Sequence, residues 1–174
     1  MIDFNIDISS GELFFNGERL EAKDHSGWVA SPIYDKFKNV NEADQIIPYH
    51  YLVNNVLWMG RVFELTIRPA CFENTPFMLY FVNKGGGYYR SLSNWEKRSD
   101  INMLECEVGE LFNWLLNELR LSDDYVKIGH GYRWEFSWGV SQPLSKRNHL
   151  IVEFILVIIN DAHFYCVVYL VLNK

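Results

Sequence analysis

Residues able to act as nucleophiles or general bases are few in this chain, and they are scattered. The five histidines, His25, His50, His130, His149 and His163, stand singly, without HxH or HxxxH spacing. No local spacing therefore brings two imidazoles to one point, and a metal site would have to be assembled from distant segments. His130 lies between Gly129 and Gly131, where backbone can approach a ligand, and is the first candidate for acid–base work. Cys71 would be a nucleophile only beside a positive charge that lowers its pKa; otherwise it is a buried thiol. With His50, these residues are what a hydrolase or transferase assembled from distant segments would use. No serine sits in a GxSxG elbow. Gly85-Gly86-Gly87 is not followed by the GK[ST] of a phosphate-cradling loop, and Gly129-His130-Gly131 lacks a third glycine, so both read as turns. The adjacent pair Asp123-Asp124 supplies too few oxygens for calcium. Neither a metal nor a cofactor is expected.

Carboxylates and aromatics offer recognition chemistry instead. Glu105, Glu107, Glu110 and Glu118 fall on the polar side of a helical pattern, and Asp123 and Asp124 follow the helix after Arg120. They are either the wet side of a helix or an acidic patch that steers a basic partner onto the surface. Tyr132, Trp134, Phe136 and Trp138 alternate with Arg133, Glu135 and Ser137. Exposed, such a ladder could stack bases, but those platforms are interleaved with lysine and arginine, and here only Arg133 is basic. Core packing is the favoured reading of the ladder, with a recognition surface as its alternative.

These residues must be positioned by an α+β fold: a mostly antiparallel sheet of about six or seven strands with one main amphipathic helix and one short helix. Ile2, Phe4, Ile6 and Ile8 alternate with polar residues, the period of a strand with one buried face. Asn16-Gly17 between apolar runs signals a type I′ hairpin. Ser31-Pro32 reads as an N-cap and first helical residue, with Ile33, Phe37 and Val40 on one face of the short helix. Phe63, Leu65 and Ile67 define a strand over 61–68, and Phe77 to Val82 a strand buried on both faces. Leu104, Val108, Leu111, Phe112, Leu115, Leu116 and Leu119 follow the i, i+3/i+4, i+7 rule of the main helix. The ladder at 132–140 leads through a polar loop, 141–148, to an antiparallel partner starting at Leu150. The tail to Leu172 then reads as two buried strands around a turn at Asn160-Asp161.

At 174 residues the chain is expected to form a single domain over 1–174 with a substantial core. Its hydrophobic content of 49% against 22% charged residues excludes a disordered chain. A net charge of −6 argues against the broad phosphate-neutralising surface of a nucleic-acid binder. The acidic start Met1-Ile2-Asp3 lacks the basic and apolar regions of a signal peptide, so a cytoplasmic location is expected. Cys71, Cys106 and Cys166 show no CxxC spacing, which suggests neither a disulfide framework nor a thiolate zinc site. The apolar tail is interrupted by Glu153, Asn160, Asp161 and His163, and each charge near a bilayer centre costs ~2.5–3.5 kcal/mol, so no membrane span is expected.

The plan of Ser10-Gly11-Glu12-Leu13 and Asn16-Gly17, then Gly60-Arg61-Val62-Phe63-Glu64-Leu65, then the helix with Trp114-Leu115, then the run from Tyr132 to Ser141 resembles bacterial immunity proteins found beside polymorphic toxin genes, including those of contact-dependent inhibition systems. The resemblance covers most of positions 10 to 155; the long apolar tail after Phe154 departs from it. It implies a non-catalytic, cytoplasmic protein that binds a cognate toxin domain and blocks its active site. If that toxin is a nuclease its groove is basic, and the acidic residues Glu105, Glu107, Glu110, Glu118, Asp123 and Asp124 would gain association rate by matching that charge. Two other classes stand beside this one: the enzyme using His130, His50 and Cys71, and a ligand-binding or oligomeric scaffold whose apolar tail seeks a partner.

Overall fold

In the computed structural model the described residues are 1–21, 24–42, 45–72, 75–86, 90, 101–128, 131–138, 148–159 and 163–173. The elements run β1 (Ile2–Asp7), β2 (Glu12–Phe15), β3 (Glu18–Arg19), α1 (His25–Val29), a 3-10 turn (Tyr34–Lys36), β4 (Lys38–Glu42), β5 (Gln45–Trp58), β6 (Arg61–Arg68), β7 (Phe77–Val82), α2 (Ile101–Glu118), β8 (Val126–Ile128), β9 (Gly131–Trp138), β10 (Asn148–Ile159) and β11 (His163–Asn173). One sheet has the order β3-β2-β1-β5-β6-β7-β11-β10-β9-β8, with β4 beside β5. The architecture is α+β with a mostly antiparallel sheet; among the described strands β1 and β5 alone pair in parallel, and Asp24 and Ala70 form an isolated parallel bridge. Seven of its strands have six residues or more, and four short ones extend it.

Two tight hairpins follow from local chemistry. Asn16 and Gly17 both have positive φ, 52° and 80°, between Phe15 and its partner Glu18. Met59 and Gly60, at 45° and 78°, repeat the arrangement between Trp58 and Arg61. Both are the mirror-image turns whose twist matches that of paired strands.

The short helix lies elsewhere than the Ser31-Pro32 signal placed it. Asp24 caps α1, its Oδ1 accepting from the Gly27 N–H at 2.7 Å. After Ser31 only the 3-10 turn forms; Phe37 is already extended, and Val40 lies in β4. Pairing of 38–42 with β5 overrides the local helical spacing.

The alternation over 61–68 is kept, with Phe63, Leu65 and Ile67 buried. In β7, Phe77, Leu79 and Phe81 are buried while the residues between them are half-buried. The sheet curls strongly. Phe4 in β1 and Phe81 in β7 are three strand steps apart, about 14 Å in a flat sheet, yet their ring centroids are 4.9 Å apart. Phe4, Phe15, Trp58, Phe63 and Phe81 interlock inside this curl. Helix α2 closes it: Trp114 meets Trp58 edge-on at 5.4 Å and donates its indole N–H to the Met59 carbonyl at 3.3 Å.

The apolar tail is two antiparallel strands, in register from His149 opposite Asn173 to Ile159 opposite His163. The turn expected at Asn160-Asp161 lies outside the described residues. β10 also pairs with β9 and β11 with β7, so this hairpin is interior to the sheet, which accounts for its continuous β-branched and aromatic composition. Of the ladder on β9, Trp134 is buried, Phe112 of α2 stacks on it at 5.2 Å, and its indole N–H donates to the Ser122 carbonyl at 3.0 Å, while Tyr132 and Phe136 are half-buried against the core; the Trp138 side chain lies outside what the structure describes. Among the described residues no helix is long and apolar enough to cross a membrane.

Candidate functional site

The six carboxylates do not converge. Glu105, Glu110 and Glu118 are exposed on α2, and Asp123 and Asp124 are exposed in the segment leaving it. At 100° per residue Glu110 is about 140° round the helix from Glu105, and Glu118 about 80° further, so they flank the wet strip rather than form one row. Asn102, Cys106, Asn113 and Asn117 occupy the exposed strip between them.

Glu107 corrects the expectation of a fully solvated polar side. It is only 4% exposed, and its Oε1 accepts from the Asn83 Nδ2 at 3.1 Å across a buried contact. Its carboxylate lies so close over Gly86 that a Cβ there would overlap Oε1. Glu107 therefore ties α2 to the end of β7 and is not available to a partner.

What α2 does gather is charge at its C-terminal end. Glu118 lies in the last turn, and that turn contains no basic residue. Arg120 takes the left-handed conformation at φ 50°, and the Leu121 N–H reaches back to the Leu116 carbonyl at 3.1 Å, closing a Schellman cap. Asp123 and Asp124 follow. The helix dipole disfavours Glu118, the one of these carboxylates inside the last turn, whereas Asp123 and Asp124 lie beyond the helix, past the exposed cation Arg120.

His130 lies outside the described residues. His50 is half-buried, with Nδ1 on its neighbour's Pro48 carbonyl at 2.8 Å. The Cys71 thiol donates to the Pro69 carbonyl at 3.1 Å, and burial pushes its pKa up, against a smaller opposing pull from Arg68. Such a thiol is held protonated, the reverse of an activated nucleophile.

The structure assembles instead a cluster that spacing alone did not disclose. His25, first residue of α1, has Nε2 2.8 Å from the Tyr51 hydroxyl, and Tyr51 also hydrogen-bonds Tyr34. Burial, then the neighbouring Tyr34, raises the Tyr51 pKa. The phenol stays neutral and links three elements: α1, the 3-10 turn and β5. The His25 ring meets Tyr49 edge-on at 5.0 Å, and Tyr49 meets Phe72 edge-on at 6.2 Å. Tyr49 and Phe72 face outward, 40% and 68% exposed.

Two features fix this aromatic corner. Tyr49 has φ 60° in the middle of β5, a conformation that costs a residue with a Cβ about 1–2 kcal/mol. Phe72 is held by Thr75, whose Oγ1 accepts the backbone N–H groups of Cys71 and Phe72 at 3.0 Å each and donates to the Phe72 carbonyl at 2.8 Å. No sequence signal marked the corner, because it exists only once 25, 49 and 72 are folded together.

No protein-family model, curated protein or solved structure matches this chain.

Proposed function

We propose that the protein is a non-catalytic binding inhibitor of the immunity type, which acts in the cytoplasm and covers the active site of a cognate bacterial toxin domain. The observation that carries the reading is the set of exposed carboxylates on and after the C-terminal turn of α2, Glu118, Asp123 and Asp124, of which Glu118 is kept where the helix dipole penalises it. Charges that cost stability at the surface are accounted for by a partner that uses them. A basic cleft, such as that of a nuclease, is attracted to this end of the helix, and the net charge of −6 extends the attraction beyond contact distance. Glu105 and Glu110 widen the acidic field on either side of the helix; Glu107 takes no part.

The test is calorimetric titration with the C-terminal domain of the toxin encoded immediately upstream. One-to-one binding at nanomolar Kd or tighter, with loss of that domain's activity, is the expected result. Lysine at Glu110, Glu118, Asp123 and Asp124 together should then slow association at least tenfold at low salt and flatten its salt dependence. The unfolding midpoint should rise slightly, since lysine at Glu118 replaces a carboxylate that the helix dipole disfavours with a cation that it favours, and the other exposed charges contribute little to stability. Association kinetics unchanged by the four substitutions would sink the acidic patch.

A further inference from the structure

We propose that Met78 is a site of reversible oxidation by peroxide, whose sulfoxide oxygen is held by the Tyr80 hydroxyl and the Arg68 guanidinium. The site belongs to the sheet alone and stands whatever partner the chain binds.

The register of β6 and β7 sets Arg68 directly opposite Met78, and Thr66 opposite Tyr80. Strand alternation therefore places Arg68, Met78 and Tyr80 on one face, with the buried Ile67, Phe77 and Leu79 on the other. All three are half-buried rather than sealed in the core. The Tyr80 hydroxyl donates to the Met78 Sδ at 3.1 Å, and Arg68 donates to the same sulfur through Nη1 at 3.6 Å. Arg68 also hydrogen-bonds Tyr80, so the two donors steady each other beside the sulfur.

A phenol and a guanidinium are strong donors, whereas a thioether sulfur is a weak acceptor. Their hydrogen-bonding capacity is underused in the reduced protein. A sulfoxide oxygen, strongly polarised and bonded to that same sulfur, comes within reach of both, and its bond from the cation is of the stronger, charge-assisted kind. Met59 and Met103 instead pack against the hydrophobic core, where an added oxygen displaces apolar contacts, and Met1 is 82% exposed.

The chemistry needs only hydrogen peroxide as co-reactant. A sulfur lone pair attacks one peroxide oxygen, and the S–O bond forms as the O–O bond breaks. The proton on the transferred oxygen passes to the departing hydroxide, which leaves as water. Sulfur loses two electrons and the peroxide gains them. Methionine sulfoxide reductases reverse the product, one enzyme for each sulfoxide epimer.

The experiment treats the full chain carrying the volume-conserving Met59→Leu and Met103→Leu with hydrogen peroxide. Peptide mass mapping reads the oxygen gained at Met78, with Met1 as the internal standard. Met78 should take up one oxygen, and the melting temperature of the oxidised chain should equal or exceed that of the reduced one. In Tyr80→Phe and in Arg68→Gln, each made in the same background, oxidation should instead lower it by about 2–4 °C, the effect of one lost hydrogen bond in a chain of this size. One sulfoxide epimer should predominate at Met78 and be reduced by one of the two reductases, against a near-equal mixture at Met1. Met78 left unoxidised while Met1 is fully converted, a change in melting temperature that is the same with and without the two donors, or a near-equal epimer mixture at Met78 would each overturn the proposal.

Discussion

The carboxylate of Glu107 and the backbone of Gly86 are in direct apposition, with Asn83 donating to the same carboxylate at 3.1 Å. A helix is thereby fastened to the loop after β7 through a polar group that is almost fully buried. Only a residue without a Cβ fits beneath the carboxylate. Gly86→Ala should therefore displace Glu107 from its buried position, strand the Asn83 amide, and cost about 1–3 kcal/mol of stability. Urea denaturation checks it. A midpoint equal to that of the parent would show that the side chain swings aside freely.

Arg120 pays a backbone penalty to end α2. An L-residue in the left-handed region costs about 1–2 kcal/mol, and glycine at the same cap position avoids it. Against this, glycine raises the entropy of the unfolded chain by roughly 0.4–1 kcal/mol. Arg120→Gly should leave stability unchanged or raise it by up to about 1 kcal/mol, whereas Arg120→Val, β-branched at the same φ of 50°, should lower it. Thermal unfolding of the two variants reads the difference directly. A Gly variant less stable than the Val variant would contradict the cap.

Periodicity disclosed the strands whose partners lie on one side of a buried face. Phe63, Leu65 and Ile67 are buried as their alternation requires, and Asn16-Gly17 forms its hairpin because the two residues that need positive φ tolerate it. The same logic failed where a tertiary partner outvoted local spacing. Val40 has a helical interval from Ile33 and Phe37 but lies in a strand because β5 offers a ladder to 38–42. Glu107 carries a charge, which in sequence reads as solvent-facing, yet Asn83 and Gly86, more than twenty residues upstream, supply the hydrogen bond and the space that bury it. The His25, Tyr49, Tyr51 and Phe72 cluster was illegible for a related reason. Its members come from α1, β5 and the loop after β6, and none carries a local motif.

The phenols and the buried thiol set an alkaline limit on the fold. Burial raises the pKa of Tyr80 and of Tyr51, in Tyr80 against the opposing pull of Arg68, and it raises the thiol of Cys71 in the same way. For each group the folded state holds its proton to higher pH than the unfolded chain does. Below the ordinary thiol and phenol values, about 8.5 and 10, their full contribution to stability is present. As pH rises past those values the unfolded chain releases protons first, so it binds fewer than the native state and stability falls with pH. The melting temperature should thus be flat from about pH 7 to 8 and decline through about pH 11, with phenolate absorbance appearing later in the folded protein than in urea. Tyr80→Phe, which keeps the ring and deletes the ionisation, should make the decline shallower. The exposed Cys106 should react with iodoacetamide near neutral pH well before Cys71; equal rates for the two thiols, or a melting temperature that rises between pH 9 and 11, would contradict the burial that shifts these groups.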